Sequence, residues 1–406
     1  ERIELINKGI VPAGYKKTSV GICPVEWIET ILGKICEINP KTERLKSTFQ
    51  YIDLESIVNG KVVAIKMISK QNAPSRAQRV LSKNDIIYQL VRPYQKNNFL
   101  LKNINENQIV ASTGYAQLRC KNPEFIYNLI NTDYFCNQVL EKCTGTNYPA
   151  ITSGELYKIL VNIPINDTEK QKIAEILNCA TRQVELQEQL VDKLKVQKKA
   201  LMQKLLTPQP DWQKLKLKNI INFYNGYSFK SETYVKNGAF YVITISNVKD
   251  GGFVLQEDTS TIEKIPTDIR EYQILRKGDV LISMTGNVGR VCKVESDNSL
   301  LNQRVGKIEV KKEFDKNFIF YSLQSYSFVE KMKLLAQGAA QDNMSVKDIN
   351  NYIICLPKNK EIQSNISNLL SNIDKRIELQ QKLLEQYKLR QKSLMQLLLT
   401  GIVRVC

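Results

Sequence analysis

The feature that most constrains this chain is an internal duplication, in which residues 125–207 recur as residues 318–400 after a gapless shift of 193 positions. Gly145, for example, returns as Gly338. The identity is densest at the end of each copy, where both close on the sequence Leu-Met-Gln-x-Leu-Leu-Thr. A period of this length is too long for a solenoid, whose repeats span about 20 to 50 residues. The chain is therefore predicted to contain two copies of a whole module.

The earlier part of each module has diverged, but the repeat can still be followed. The two tryptophans, Trp27 and Trp212, mark the two module starts, and a Leu-x-Lys-x-Asp motif ends at Asp85 in one copy and at Asp279 in the other. The shift between equivalent residues drifts between 185 and 194 positions in this part. The loops of the two copies are therefore expected to differ in length.

Two long helices are predicted from apolar residues at heptad spacing. The first starts near the capping side chains of Asp167-Thr168-Glu169 and stops before Pro208, and the second stops at Gly401. Each should run for roughly 38 residues, or about 57 Å. The apolar seam is interrupted by polar residues at matched places, so the helices are predicted to pair as an antiparallel coiled coil with a pseudo-two-fold repeat. The predicted seam comprises Ile173, Leu177, Val184, Gln187, Val191, Leu194, Leu201, Ile366, Leu370, Ile377, Gln380, Leu384 and Leu394.

A second apolar row follows the same helices. It comprises Ile176, Leu186, Leu190, Met202 and Leu206 in the first helix and Leu369, Leu379, Leu383, Met395 and Leu399 in the second. A two-stranded coiled coil would leave this row exposed to water. It either covers the globular domains or binds another protein, and the sequence leaves both interpretations open.

Short β-branched and aromatic runs bounded by turn residues predict strands on either side of the first long helix. The segments Phe125–Lys142 and Phe318–Gln337 are predicted to be helical. The expected fold class is α/β (α+β), with two globular mixed α/β domains separated by the two long helices. The predicted division is residues 1–165 for the first domain, 166–208 for the first long helix, 209–357 for the second domain and 358–406 for the second long helix and tail.

Composition excludes several classes of site. Histidine is absent, which removes histidine as a general base and as a metal ligand. The nine cysteines are an odd number without C-x-x-C spacing, which indicates reduced thiols and not a disulfide framework. The sequence contains no run of 18 apolar residues, and it does not begin with the pattern of a signal peptide. A cytoplasmic protein without a membrane span is therefore expected.

The balance of charge indicates the partner. With 58 Lys and Arg against 41 Asp and Glu, the net charge is +17. A charge of this sign and size favours a polyanion, with nucleic acid first and an acidic protein second. A generically basic protein remains the alternative on charge alone.

Several short motifs in this order, present twice, give the whole chain a resemblance to the specificity subunit of type I restriction-modification systems. They are Gly-Tyr-Lys-Lys-Thr from Gly14 and Pro-Val-Glu-Trp from Pro24, the Lys-x-Asp strands, the Gly-Thr-Asn and Gly-Ala-Ala loops, and the paired helix ends. The resemblance implies two target-recognition domains that each read one half of a split sequence of double-stranded DNA. It also implies helices that set the gap between the halves and dock methyltransferase subunits, two for each chain.

The same resemblance implies that this chain is not an enzyme and that methylation and cleavage belong to methyltransferase and restriction subunits. No G-x-x-x-x-G-K-[ST] phosphate loop and no Asn-Pro-Pro-Tyr motif occur in the sequence. The segment Thr285–Gly289 is too short for a dinucleotide fingerprint and is interpreted as a strand-ending turn. No cofactor is expected in this chain, whereas S-adenosylmethionine, ATP and Mg are expected in its partner subunits.

Candidates for DNA contact are polar and basic side chains in predicted loops. The turn Ser283–Arg290 of the second module occupies the place of Gln89–Lys96 in the first, and the side chains differ, as expected if the two domains read different sequences. The predicted DNA-binding residues are Arg76, Arg79, Arg92, Gln95, Lys96, Thr146, Asn147, Tyr148, Asn225, Tyr227, Lys230, Thr285, Asn287, Arg290, Asn302, Gln303, Arg304, Gln341 and Asn343.

Two other classes of function stay open at this point. The chain could be the recognition part of a larger single-chain restriction and methylation enzyme, with catalytic segments in front of it. It could also be a duplicated scaffold that binds acidic proteins, in which case its affinity for DNA would lack a steep dependence on salt.

Overall fold

The computed structural model describes residues 2–41, 43–104, 106–249, 252, 254, 259–286, 288–337 and 344–405. Within these residues, no helix combines the length and the apolar character needed to cross a bilayer. The chain forms two compact units, one of Glu1–Glu188 with Leu383–Cys406 and the other of Gln189–Lys382. Each unit therefore includes one part of each long helix. The four-part division of the sequence stays a prediction.

The elements up to the end of the first long helix are short strands and short helices. The strands are β1 Tyr15–Thr18, β2 Gly21–Pro24, β3 Trp27–Ile31, β4 Cys36–Ile38, β5 Thr48–Ile52, β6 Ile57–Val58, β7 Lys61–Val62, β8 Lys66–Ser69, β9 Ala77–Leu81, β10 Ile86–Gln89, β11 Phe99–Leu100, β12 Ile109–Ser112, β13 Tyr115–Cys120 and β14 Leu160–Pro164. The helices are α1 Arg2–Asn7, α2 Leu32–Ile35, α3 Pro123–Ile130, α4 Asp133–Glu141, α5 Ser153–Tyr157 and α6 Asp167–Leu206.

The remaining elements repeat this order in the second module. The strands are β15 Gln213–Lys216, β16 Ile221–Asn225, β17 Phe240–Ile243, β18 Thr261–Ile262, β19 Ile274–Leu275, β20 Val280–Ser283, β21 Val291–Lys293, β22 Ser299–Leu301, β23 Val305–Val310 and β24 Ile353–Leu356. The helices are α7 Lys316–Ser322, α8 Tyr326–Gln337, α9 Val346–Asn351 and α10 Lys360–Leu399.

Sheet topology extends the duplication into the diverged half of each module. The first unit has a sheet in the order β11-β10-β13-β4, a second sheet in the order β8-β5-β12-β9, and the pair β14-β3. The second unit has β21-β20-β23-β16, β18-β17-β22-β19 and β24-β15 in the corresponding places. The strand pairs β5-β12 and β17-β22 are parallel at the same position of each second sheet. The mixed α/β fold class predicted for the two domains is confirmed.

The repeated Leu-x-Lys-x-Asp motif forms the turn that opens β10 and β20. The Asp85 carboxylate accepts a hydrogen bond from the Ser82 backbone N–H at 2.7 Å, and the Asp279 carboxylate accepts from Arg276 at 2.9 Å. Asn84, the residue before Asp85, has a φ of 69°. An aspartate that accepts from the backbone of its own turn stabilises that turn. The motif therefore fixes where these central strands begin.

Each tryptophan packs against the hydrophobic core of its own unit. Trp27 is fully buried and lies in a core cluster with Leu177 of α6 and Leu398 of α10. Trp212 packs edge-on against Phe318, with ring centroids 5.9 Å apart. Both module starts are thus packed onto the core of the domain that they open.

The two long helices run antiparallel to each other within each unit. In the first unit, the Gln391 side chain donates to the Thr181 hydroxyl at 2.8 Å, and Lys388 forms an ion pair with Glu188 at 3.4 Å. Residues later in α6 therefore contact residues earlier in α10. The second unit shows the same direction, because Leu194 packs in one buried cluster with Ile373 and Ile377. Further along α6, Leu201 and Leu205 pack in the core cluster that contains Leu370 and Ile366, which lie earlier in α10.

The predicted seam residues are buried or half-buried in both helices. The buried members are Ile173, Leu177, Val184, Gln187, Val191, Leu194, Leu370, Ile377 and Leu384, and the half-buried ones are Leu201, Ile366, Gln380 and Leu394. The heptad spacing therefore identified the inward face of both helices.

Three local predictions were wrong. The first long helix is not capped by the predicted side chains, because Asn166 accepts from the Thr168 backbone N–H at 2.8 Å while Asp167 pairs with Lys121. The predicted helix Phe125–Lys142 is broken into α3 and α4, because the Thr132 hydroxyl accepts from the Phe135 backbone N–H and starts a new helix. The predicted helix Phe318–Gln337 is likewise divided into α7 and α8.

Candidate nucleic-acid interface

In the first unit, two loops that are distant in the sequence form hydrogen bonds with the end of β10. The backbone N–H of Leu90 donates to the carbonyl oxygen of Gly114, and the N–H of Ile151 donates to the carbonyl of Leu90, both at 3.0 Å. An antiparallel bridge joins Val91 to Ala150. The end of β10, the turn after β12 and the loop 144–150 therefore lie side by side, although they are far apart in the sequence. These three segments form the junction of the first unit.

Arg92 and Tyr148 meet at this junction. Arg92 has a left-handed backbone with φ of 54°, and its N–H donates to the Pro149 carbonyl at 2.7 Å. Its guanidinium lies 4.3 Å from the centroid of the Tyr148 ring, which is 64% exposed. The stack presents a cation and an aromatic face to solvent, and either can contact nucleic acid. The neighbouring candidates Thr146 and Asn147 are exposed in the same loop.

The other candidates of the first module differ in their exposure and in the contacts of their side chains. Arg76 is exposed, and its carbonyl accepts from the Thr113 N–H at 2.8 Å. Lys96 is held by an ion pair to Asp133, a contact that lowers the pKa of that carboxylate. Arg79 lies on the edge strand β9, where burial lowers the pKa of its guanidinium and Nε has no hydrogen-bond partner among the described residues.

The second unit builds the same junction with other residues. The N–H of Met284 donates to the carbonyl of Arg304 at 3.1 Å, and the N–H of Met344 donates to the carbonyl of Met284 at 2.9 Å. These bonds correspond to those of Leu90 with Gly114 and Ile151 in the first unit. The turns predicted to be equivalent from the sequence therefore occupy equivalent places in the two domains.

A third segment, Asn225–Tyr227, joins this junction in the second unit. The Tyr227 N–H donates to the Leu301 carbonyl at 2.8 Å, and the Gln303 N–H donates to the Tyr227 carbonyl at 2.9 Å. A Cβ on Gly226 would lie 2.0 Å from the carbonyl oxygen of Asn302, so only glycine allows this approach. Asn225, Gln303 and Arg304 are exposed here, and Asn302 is half-exposed.

The remaining predicted residues of the second module differ in their burial and in their hydrogen bonds. Thr285 has a buried hydroxyl without a partner among the described residues, and the Arg290 N–H donates to the Ser283 hydroxyl at 3.1 Å. Lys230 is exposed, and its carbonyl accepts from the Thr233 hydroxyl at 2.7 Å. The predicted residues Asn287, Gln341 and Asn343, with the Gly-Ala-Ala loop, lie outside the described residues.

The sequence did not indicate one further group beside Tyr227. The Tyr227 hydroxyl donates to the Asp268 carboxylate at 2.7 Å. Close by in sequence, Tyr272 stacks on Tyr224 with centroids 4.7 Å apart, and Arg270 lies 6.0 Å from the Tyr272 ring. No motif marks the segment 268–272, and only the folded chain brings it beside the segment 224–227.

The second apolar row divides into exposed and buried parts. Leu186, Leu190 and Leu379 are 48%, 40% and 63% exposed, and Leu383 is half-buried. The C-terminal ends of the row pack on the domains of their own units, Leu206 in the second unit and Leu399 in the first. Of the two open interpretations, packing on the domains therefore applies to these C-terminal ends, whereas the middle of the row is accessible.

Comparison with known proteins agrees with this duplicated architecture. The family model described as type I restriction modification DNA specificity domain matches residues 24–196 and 209–389. The type I restriction enzyme MjaVIII specificity subunit of Methanocaldococcus jannaschii is 26% identical, covering 97% of this chain and 94% of the relative.

Solved structures share the fold. The type I restriction-modification system S subunit from M. genitalium superposes with a TM-score of 0.60 at 14% identity, covering 92% of this chain and 96% of that one. A chain from a study of complex assembly and conformational transition of the type I restriction-modification system gives a TM-score of 0.60 at 22% identity, covering 94% and 99%. Since the family model matches most of the sequence, once in each module, this chain belongs to the family of type I restriction-modification DNA specificity subunits.

Proposed function

We propose that each domain of this chain reads one half of a split DNA sequence through the junction at the end of its central strand, β10 or β20. The observation that carries this proposal is the equivalence of the two junctions, which keep the same backbone hydrogen bonds while their exposed side chains differ. Two domains that read different sequences need loops in equivalent places with different side chains, because side chains at base edges determine specificity.

Substitution of Arg92 tests most directly whether the junction of the first domain contacts DNA. An R92A substitution removes a cation and the support of the Tyr148 ring. It should weaken binding to the cognate duplex about tenfold, and the slope of log affinity against log salt should fall by about one if Arg92 neutralises a phosphate. The measurement is fluorescence anisotropy at several salt concentrations.

The variant R92K separates the two possible roles of this residue. Retained affinity and slope would assign Arg92 to a phosphate, because lysine keeps the charge. A retained slope with lost discrimination between cognate and altered duplexes would assign it to a base edge, because lysine lacks the planar fork. Unchanged affinity and slope in R92A would contradict the placement of the interface.

The paired helices set the gap between the half-sites in this proposal, and the exposed middle of the second apolar row docks methyltransferase subunits, two for each chain. The methylation and cleavage chemistry, with S-adenosylmethionine, ATP and Mg, would then belong to the methyltransferase and restriction subunits. The accessible leucines support the docking role, since exposed apolar side chains that follow one row of a helix typically mark an interaction site.

Aspartate in the exposed middle of this row, on either helix, should disrupt docking. L186D and L379D each place a charge in the proposed interface and should weaken methyltransferase binding about thirtyfold, the loss typical of an interface hot spot. Isothermal titration calorimetry with the purified methyltransferase measures the change. V196D and L389D are matched controls, because these side chains are 70% and 67% exposed on the same helices but lie outside the row and the seam. Retained binding in L186D and L379D would refute docking on this row.

A further inference from the structure

A group of buried amide side chains lies beneath the turn that carries Gln95. Gln89 at the end of β10 is 3% exposed and Asn98 is 1% exposed, whereas Gln95 is exposed. The turn is flanked by Arg92 and Lys96, which have φ of 54° and 51°. Non-glycine residues in the left-handed region are strained, and such strain is concentrated at functional sites.

The backbone determines which way the Gln89 amide faces. The Asn97 backbone N–H donates to Gln89 Oε1 at 3.2 Å. A backbone N–H can only donate, so the oxygen of the Gln89 amide must face Asn97 and its amino group must face the other way. That amino group donates to Gln95 Oε1 at 2.9 Å. The orientation of the Gln95 amide therefore follows from a backbone group two residues further along the chain.

The other side of the network is fixed in the same manner. Asn98 Oδ1 accepts from the Gln89 backbone N–H at 2.8 Å, and Asn98 Nδ2 donates to Asn131 Oδ1 at 3.0 Å. Asn131 Nδ2 in turn donates to the Tyr127 carbonyl at 2.7 Å. Because a backbone N–H and a backbone carbonyl anchor the two ends, none of these amides can turn over without losing hydrogen bonds in a buried place.

Gln95 consequently directs its amino group away from Gln89, and one of the two acceptor positions of its oxygen is already occupied. Its Oε1 accepts from the buried Gln89 amide, and no described residue accepts a hydrogen bond from its Nε2. An unrestrained glutamine can pair with adenine by donating to N7 and accepting from N6. A glutamine whose oxygen is already held from below favours base edges that carry acceptors, such as guanine O6 and N7 or thymine O4.

We propose that Gln89 is a positioning residue that fixes the amide of Gln95 as a donor, so that the first domain selects guanine or thymine at one position of its half-site. This inference rests on the proposed function, because it requires the junction of the first domain to contact DNA. It adds the class of base edge that one side chain recognises and the buried residue that sets this choice.

The second domain carries a different buried side chain at this place. Its residue at the place of Gln89 is Ser283, whose hydroxyl accepts from the Arg290 N–H at 3.1 Å, as Gln89 Oε1 accepts from Asn97. Both buried side chains therefore hold the following loop. Because Ser283 carries a hydroxyl where Gln89 carries an amide, the Q89E substitution has its expected effect only in the half-site of the first domain.

The test is the methylated motif of cells that express the full chain with its methyltransferase, mapped by single-molecule sequencing. In Q89E, the introduced carboxylate still accepts from Asn97 but cannot donate, so Gln95 must turn its amino group inward and its oxygen outward. One position of the first half-site should then change its preference from guanine or thymine to adenine or cytosine, by about tenfold in relative methylation. The second half-site is the internal control and should be unchanged.

Two substitutions at the exposed Gln95 keep the inference testable if Q89E fails to assemble, since that variant buries a carboxylate. Q95E presents acceptors alone and should produce the same change of base class, whereas Q95M should reduce methylation without changing the class. A wild-type motif in Q89E or Q95E at normal methylation levels would overturn the inference. A wild-type chain that directs methylation to no split motif would instead refute the proposed function.

Discussion

An R404L substitution is expected to lower the free energy of unfolding of the first unit by about 3 kcal/mol, because it strands a buried carboxylate. Arg404 donates to both oxygens of Glu169, whose side chain is only 6% exposed, and it also pairs with Glu26 at 2.6 Å. Removing one member of a buried ion pair leaves the other charge without compensation. Urea denaturation in a W212F background reports on this unit, since Trp27 is then the remaining tryptophan.

The duplication supplies the matched control for this prediction. The residue at the place of Glu169 in the second copy is Ile362. The double variant E169I/R404L therefore replaces the ion pair with two apolar side chains, one of which the second copy carries at this helix position, where it is 44% exposed. It should recover most of the lost stability, leaving the weak Trp27 hydrogen bond to Glu169 unmade. Equal destabilisation in the single and double variants would show that Arg404 acts through packing and not through charge.

A D374T substitution should destabilise the second unit by about 2 kcal/mol, less than R404L because the site is more exposed. Asp374 of α10 accepts from the Tyr321 hydroxyl at 2.7 Å and pairs with Lys198 of α6 at 2.6 Å. The side chain of Lys198 is only 15% exposed, so its charge loses compensation when the carboxylate is removed. Denaturation followed by Trp212 in a W27F background measures the change.

The first unit shows which pair would replace these residues. At the equivalent places, Gln391 donates to the Thr181 hydroxyl at 2.8 Å. The double variant D374T/K198Q installs this neutral pair in the second unit and should restore most of the stability. If K198Q failed to rescue D374T, the two positions would not be interchangeable between the copies, and the Tyr321 contact would account for the loss.

The sequence predicted the regular parts of this protein because their spacing is set by local geometry. The heptad period identified the inward face of α6 and α10, including the buried polar residue Gln187, since 3.6 residues per turn leaves few alternatives. The gapless repeat also showed that the two modules would share a topology. The break at Thr132 was missed because the apolar pattern continues across it, and a single hydroxyl cap decides the break.

The candidate site was predicted only as a set of loops. Equivalence of the turns after β10 and β20 followed from the shift in register, but the contacts of Arg92 with Tyr148 and of Tyr227 with Asp268 join segments more than 40 residues apart. Such tertiary contacts have no local pattern in a single sequence. The role of Gln89 was likewise hidden, because a glutamine in a strand gives no sign of which hydrogen bonds it will make.

The most direct test of this account is the methylated sequence that the unmodified chain directs when it is expressed with its neighbouring methyltransferase. Single-molecule sequencing of the genome should show a split, asymmetric motif with a fixed gap, one half for each domain. A continuous motif without a gap, or no methylation despite a stable complex with the methyltransferase, would contradict the assignment of one half-site to each domain.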